Sequence, residues 1–244
     1  LQMEPQALRD LHQAVMALAD EAFHARVAQR MASWAPQRQQ RLDRLAAAAQ
    51  DPGREDALNP AWVCAQIGLQ LRPTDVVINE AIRNSPAVLQ HIPRTQPMSF
   101  LGGAGGGLGY SGGMALGVKL ARPQDRVVHI EGDGGFHFST PSSVYAVAQA
   151  QGLPIFTVVL DNGGWQAVKE AVLRVHPDGP AAQAGQFQAR LQGEKRHFEQ
   201  VAQAFGAHGE RVTRSEELPA AIARCLQALD EGRAALLVAS VAKI

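Results

Sequence analysis

Two short stretches carry side chains able to hold a metal ion and a polyanion. The first, Glu131-Gly132-Asp133-Gly134-Gly135, follows the apolar run 127–130. The second, Asp161-Asn162-Gly163-Gly164, follows the apolar run 155–160. Asp133 offers a carboxylate and Asn162 an amide oxygen. Two hard oxygen ligands suit Mg²⁺, which is usually held by one or two protein oxygens together with substrate phosphates and water. The glycines beside them let backbone groups approach a ligand closely. Acids and amides in glycine turns also cap helices and form Asx turns, so what they do depends on the elements that position them.

Both apolar runs read as buried strands, with a helix at 140–151 between them. In a parallel sheet their carboxyl ends open on one edge, which is where ligands bind. The rest of the chain supplies such a sheet. Further strands are expected at 75–79, 98–101, 210–212 and 235–241, beside the two at 126–131 and 155–161. Helices are expected at 61–71, 85–91, from the glycine tract 102–109 through about Leu120, and at 165–173, 198–205 and 215–229. Strands alternating with helices imply an α/β fold, a parallel sheet with helices on both faces. Residues 176–192 lack apolar periodicity and read as a mobile loop. Asn59 reads as an N-cap before Pro60 at the first helical position, so the globular domain is expected over 59–244. Ahead of it, Leu8, Leu11, Val15, Leu18 and Phe23 recur at helical spacing, and 50–58 is a polar Pro/Gly linker. Residues 1–58 therefore read as a helical appendage.

Composition narrows the classes. The chain has 244 residues, 46% hydrophobic and 19% charged, in the ordinary globular range. With 23 basic and 23 acidic residues it has no electrostatic reason to bind nucleic acid or a membrane surface. Cys64 and Cys225 are two lone cysteines without metal-ligand spacing, and read as reduced thiols of a cytoplasmic protein. No run reaches transmembrane length, and no secretory signal opens the chain. The first residue is Leu1 rather than methionine, which leads us to expect a fragment or a processed piece.

Gly132-Asp133-Gly134, then 26 residues, then an Asn-Asn-like pair resembles the thiamine diphosphate motif of the acetolactate synthase and benzoylformate decarboxylase superfamily. The first Asn of the usual pair is Asp161 here. The resemblance implies that Asp133, Asn162 and the carbonyl of Gly164 bind Mg²⁺. It assigns the diphosphate to the backbone around Gly132, Gly134, Gly135 and Trp165. The tract Gly105-Gly106-Gly107-Leu108-Gly109-Tyr110 resembles the segment that holds the aminopyrimidine ring. Leu108 would be the apolar wedge that bends the cofactor, with Gly107 beside it, and the Gly106 carbonyl would accept from the exocyclic amine. Residues 79–84 occupy the place where related enzymes contact the diphosphate, with Arg83 as a phosphate clamp. No role is assigned to His137 or His176.

Related enzymes activate the cofactor with a glutamate on a separate, N-terminal pyrimidine-binding domain, usually of the neighbouring subunit. That domain has no counterpart here, and no catalytic residue is assigned within this chain. The resemblance thus implies the diphosphate-side part of a decarboxylase or carboligase acting on a 2-keto acid or 2-hydroxyacyl substrate. It would be completed by a pyrimidine-binding domain and work as a homo-oligomer. Without the metal, Asp133 and Asp161 are both expected to face the diphosphate uncompensated. A non-catalytic cofactor-binding domain is one alternative. Another is a nicotinamide-binding Rossmann domain, because 107–112 fits G-x-G-x-x-G and the next strand ends in Glu131. That reading leaves Gly132-Asp133-Gly134 without a task.

Overall fold

A computed structural model describes residues 3–103, 107–191 and 196–242. They fall into two compact units, Leu1–Ala47 and Ala48–Ile244. The first unit is helical, with α1 (Met3–Leu18) and most of α2 (Glu21–Gln50). Asp20 sets the start of α2, its Oδ1 accepting from the Phe23 N–H at 2.6 Å.

The second unit opens with an antiparallel ribbon, β1 (Gly53–Arg54) and β2 (Ala57–Leu58), within the stretch expected to be a plain linker. Asn59 then caps α3 (Pro60–Gln70) as expected, accepting from Ala61 N–H at 3.0 Å. There follow β3 (Val76–Glu80), a 3₁₀ turn (Ile82–Asn84), α4 (Ser85–His91) and β4 (Phe100–Gly102). Next come α5 (Ser111–Ala121), β5 (Val127–Gly132), α6 (Asp133–Phe138), α7 (Pro141–Gln151) and β6 (Phe156–Asp161). The chain continues through α8 (Gln166–Val175), α9 (Pro180–Ala184), α10 (Phe198–Gln203) and β7 (His208–Val212). A 3₁₀ turn (Ser215–Glu217), α11 (Leu218–Asp230) and β8 (Ala235–Ser240) complete it.

Six strands form one parallel sheet in the order β4-β3-β5-β6-β8-β7. Helices α3, α4 and α11 bury one face around Val63, Ile67, Val77, Ile130, Val158 and Ile222. Helices α5, α7 and α10 bury the other around Ile78, Ala115, Tyr145, Ile155 and Leu236. Each fully buried aliphatic side chain contributes roughly 1.5–3 kcal/mol. Stability therefore resides in the strand centres, and the carboxyl ends are left to Asn79, Glu80, Glu131 and Asp161. From β3 the chain steps to β4 on one side and returns to β5 on the other. The crevice between β3 and β5 lies at this reversal of strand order, the place where open α/β sheets bind ligands.

The mobile-loop expectation for 176–192 needs correction. Residues 180–184 are helical, with Pro180 in the first turn and Gly185 in the left-handed region at φ +62°. Arg190 makes an antiparallel bridge to Gly164. A five-residue helix is too short to show apolar periodicity, whereas its Pro start and Gly stop were visible.

Candidate cofactor and metal site

Glu80, Gly132 and Asp161 end three strands of the sheet, β3, β5 and β6. Beside them lies a cavity of ≈ 260 Å³, walled by residues 80–84, 108, 132–135, 162 and 164–168. The fold thus brings Arg83, Leu108, Gly132, Asp133, Gly134, Gly135, Asn162, Gly164 and Trp165 to one wall. Gly107 is described but is not part of that wall, and Gly106 lies outside the described residues. His137 packs against the Phe198 and Trp165 rings, at 5.3 and 6.4 Å between centroids. His176 follows α8, and neither histidine lines the cavity.

Asp133 joins the two glycine turns. Its Oδ1 accepts from Gly134 N–H at 3.0 Å and its Oδ2 from Gly163 N–H at 2.8 Å. Burial, and then the neighbouring Asp161, raise the Asp133 carboxyl above its usual range. A bound cation reverses that balance by stabilising the carboxylate. One terminal atom of the Asn162 amide lies 3.2 Å from Asp133 Oδ1 and 2.8 Å from the Gly164 carbonyl oxygen. If that atom is nitrogen it donates to both. If it is oxygen, it accepts a long hydrogen bond from the Gly164 N–H at 3.3 Å and otherwise faces two further acceptors, an arrangement that a cation stabilises. Amide oxygen and nitrogen are assigned from their neighbours, so the occupant of the site decides the orientation. A carboxylate, an amide and a carbonyl form a hard-oxygen donor set that fits Mg²⁺. Gly164 sits at φ +149°, and a Cβ there would overlap the Ala189 carbonyl oxygen. Only glycine brings this carbonyl to the other two donors.

Asp161 is not an uncompensated charge, contrary to the sequence-based expectation. Arg196 Nη2 donates to its Oδ1 at 2.9 Å and Arg211 Nη1 to its Oδ2 at 3.1 Å. Burial alone would raise this carboxyl, but hydrogen bonding and charge from Arg196, and then Arg211, hold it below the usual carboxylate range. Asp161, the departure from the expected Asn pair, thus anchors the end of β6. Asp161→Asn should lower stability in urea unfolding by about 2 kcal/mol, since part-buried hydrogen bonds to a charged group are lost. Equal midpoints for the two proteins would show that the arginines add nothing.

Glu80 braces the turn after Leu108. Its Oε1 accepts from Gly109 N–H, and its Oε2 accepts from the Ser111 hydroxyl and, at 2.9 Å, from Ser111 N–H. The end of β3 therefore holds the turn immediately after Leu108. Behind it, His129 Nε2 lies 2.6 Å from Ser111 Oγ, and its Nδ1 3.3 Å from Thr157 Oγ1. Burial pushes the His129 imidazole down to about 3, so it is neutral. Burial, and then Glu80, push the Glu131 carboxyl well up. The Glu80 contacts were not readable from sequence, because they depend on β4 and α5 packing beside β3.

Arg83 is engaged on the cavity wall, its Nε 2.5 Å from Glu170 Oε1 of α8. Gln166 was missed altogether. It lines the cavity, is only 7% exposed, and its Oε1 has no hydrogen-bond partner among the described residues. A lone glutamine at a helix start carries no signal in sequence.

Residues 83–239 match the family model described as thiamine pyrophosphate enzyme, C-terminal TPP binding domain. The chain is 29% identical over 165 residues to acetolactate synthase isozyme 2 large subunit of Escherichia coli K12, covering 62% of this chain and 26% of that protein. It is 28% identical over 161 residues to benzoylformate decarboxylase of Pseudomonas aeruginosa PAO1, covering 65% of this chain and 28% of that protein. The chain thus spans little more than a quarter of these relatives. A Rhodococcus jostii RHA1 thiamine diphosphate-dependent 4-hydroxybenzoylformate decarboxylase shares the fold, with TM-score 0.66 and 21% identity over 79% of this chain and 34% of that one.

Proposed function

Because this chain belongs to the thiamine pyrophosphate enzymes, as a C-terminal TPP-binding domain, we propose that it holds the diphosphate half of thiamine diphosphate through Mg²⁺. It would serve a lyase or transferase of the acetolactate synthase and benzoylformate decarboxylase kind, acting on a 2-keto acid or 2-hydroxyacyl substrate. The observation that carries the proposal is the meeting of Asp133 Oδ1, the Asn162 amide and the Gly164 carbonyl at the carboxyl edge of the sheet. When bound, the cofactor supplies an electron sink for cleaving or forming a bond next to a carbonyl.

The chain's own residues bind and orient. Asp133, Asn162 and Gly164 would hold the cation. At the starts of α6 and α8 the Gly134, Trp165 and Gln166 N–H groups already donate to Asp133 Oδ1, the Ala189 carbonyl and the Gly164 carbonyl. The Trp165 backbone is therefore not available as the sequence led us to expect, and phosphoryl oxygens would fall to the N–H groups that follow, such as that of Gly135. Leu108, held from behind by Glu80, would press an apolar side chain against the cofactor and fix its bend. Ile82 and Val168 on the cavity wall are 52% and 53% exposed, an apolar rim suited to cover by a pyrimidine-binding domain. That domain would come from another polypeptide or another part of a longer one, within a homo-oligomer. Two buried free thiols, Cys64 and Cys225, agree with a cytoplasmic setting. No helix among the described residues is long and apolar enough to cross a membrane. The nicotinamide reading loses its footing, because Glu131, which it needs on a ribose, is 1% exposed and does not line the cavity.

Calorimetric titration tests the proposal. Thiamine diphosphate should bind the chain with Mg²⁺ and not with EDTA, whereas metal-independent NAD(H) binding would overturn it. The same titration reads the Arg83 clamp. Glu170 competes with phosphate for Arg83, so Glu170→Gln should tighten binding severalfold. Arg83→Ala should weaken it roughly tenfold, the loss of one charge-assisted contact.

A further inference from the structure

Two polar atoms in the cavity wall have nothing to bond. Trp165 Nε1 and Gln166 Oε1 are both buried and without a partner among the described residues. They belong to consecutive residues at the start of α8, and both residues line the cavity. The indole edge lies against Gly134, where a Cβ would come within 2.5 Å of Trp165 Nε1. Gly134 directly follows Asp133, so the unpaired donor sits at the turn that carries the metal carboxylate. Gln166 is 7% exposed, and burying an unpaired amide oxygen is destabilising. Such groups are retained where a ligand completes them.

We propose that the Trp165 indole N–H and the Gln166 carboxamide oxygen are ligand-binding groups of this site, reading two different features of a magnesium diphosphate. The Trp165 N–H donates to a phosphoryl oxygen. The Gln166 oxygen accepts from a water of the hydrated cation, since Mg²⁺ usually keeps several waters. Two neighbouring side chains thus match a donor to the anion and an acceptor to the cation. This inference rests on the reading of the cavity as a magnesium diphosphate site. It adds side-chain contacts to the backbone and carboxylate contacts already assigned.

Trp165→Phe removes the N–H and keeps a ring against Gly134. Gln166→Met keeps the length of the side chain and removes the amide. Calorimetric titrations of the full 244-residue chain would use inorganic diphosphate and thiamine diphosphate, each with Mg²⁺. Trp165→Phe should weaken both roughly 10- to 100-fold, as expected for a lost hydrogen bond to a charged group. Gln166→Met should move the Mg²⁺ midpoint for diphosphate binding severalfold upward. It should also raise the melting temperature of the ligand-free protein, because an unpaired polar atom is gone. A structural glutamine would give the opposite sign, a lower melting temperature with unchanged Mg²⁺ dependence. Wild-type binding with unaltered variants overturns the inference alone. A wild-type chain that binds neither diphosphate overturns the inference and the magnesium diphosphate reading together.

Discussion

Asp133→Ala should abolish Mg²⁺-dependent binding of thiamine diphosphate, a loss of at least about 100-fold, since even outer-shell partners of metal ligands are worth 10–100-fold. The substitution removes the only carboxylate of the proposed donor set and leaves an amide and a carbonyl. It also strips the Gly134 and Gly163 N–H groups of their acceptors, so some loss of stability should accompany it. Asp133→Asn separates the two effects. An amide oxygen can still accept one of those bonds, yet it contributes no charge to set against the cation. Both variants should therefore fail to bind, with Asp133→Asn the more stable. Wild-type affinity in either one, measured calorimetrically at saturating Mg²⁺, would remove Asp133 from the site.

The second large effect concerns catalysis, and it is negative. Only two carboxyl groups line the cavity among the described residues, those of Glu80 and Asp133. Glu80 is occupied by Gly109 and Ser111, and Asp133 by the two glycine turns. Neither is free to meet a pyrimidine nitrogen on the far side of the cofactor. A positioned acid or base is commonly worth roughly 10²–10⁴ in rate. The chain alone should therefore exchange the thiazolium proton for deuterium little faster than buffer does, as read by NMR after acid quench. Adding a matching pyrimidine-binding domain in trans should restore fast exchange, and Leu108→Ala should then weaken it. Fast exchange by the isolated chain would place an acid that we have overlooked.

The pattern of what was legible in sequence has a physical basis. Asp133 and Asn162 stood out because each follows an apolar run and sits among glycines, and a parallel sheet turns that local pattern into a shared edge. Strand positions were readable because a sheet buried on both faces demands nearly continuous apolar runs. Asp161 was visible only as a departure from the motif. Its partner Arg211 lies 50 positions away, on a strand that reaches it only through the register of β7, β8 and β6. In sequence Glu80 is one more acid at a strand end, and only the fold brings Gly109 and Ser111 within its reach. Gln166 left no trace, because an unpaired polar atom is a property of its surroundings.

The link between Asp161 and Arg211 bears on how the protein breathes. Among the described residues β7 pairs only with β8 and forms an edge of the sheet, and edges are where local opening begins. Arg211 of this edge strand holds Asp161, and Asp161 accepts from the Gly163 amide at 3.2 Å, in the turn between Asn162 and Gly164. Fraying of β7 therefore releases one of the restraints on the metal turn. Because the Gly163 amide also donates to Asp133 Oδ2 at 2.8 Å, opening of β7 should speed its exchange only in part, to a rate between those of β7 and the buried centre of β6. In Asp161→Asn the two should come apart, the turn and the edge strand each opening on its own.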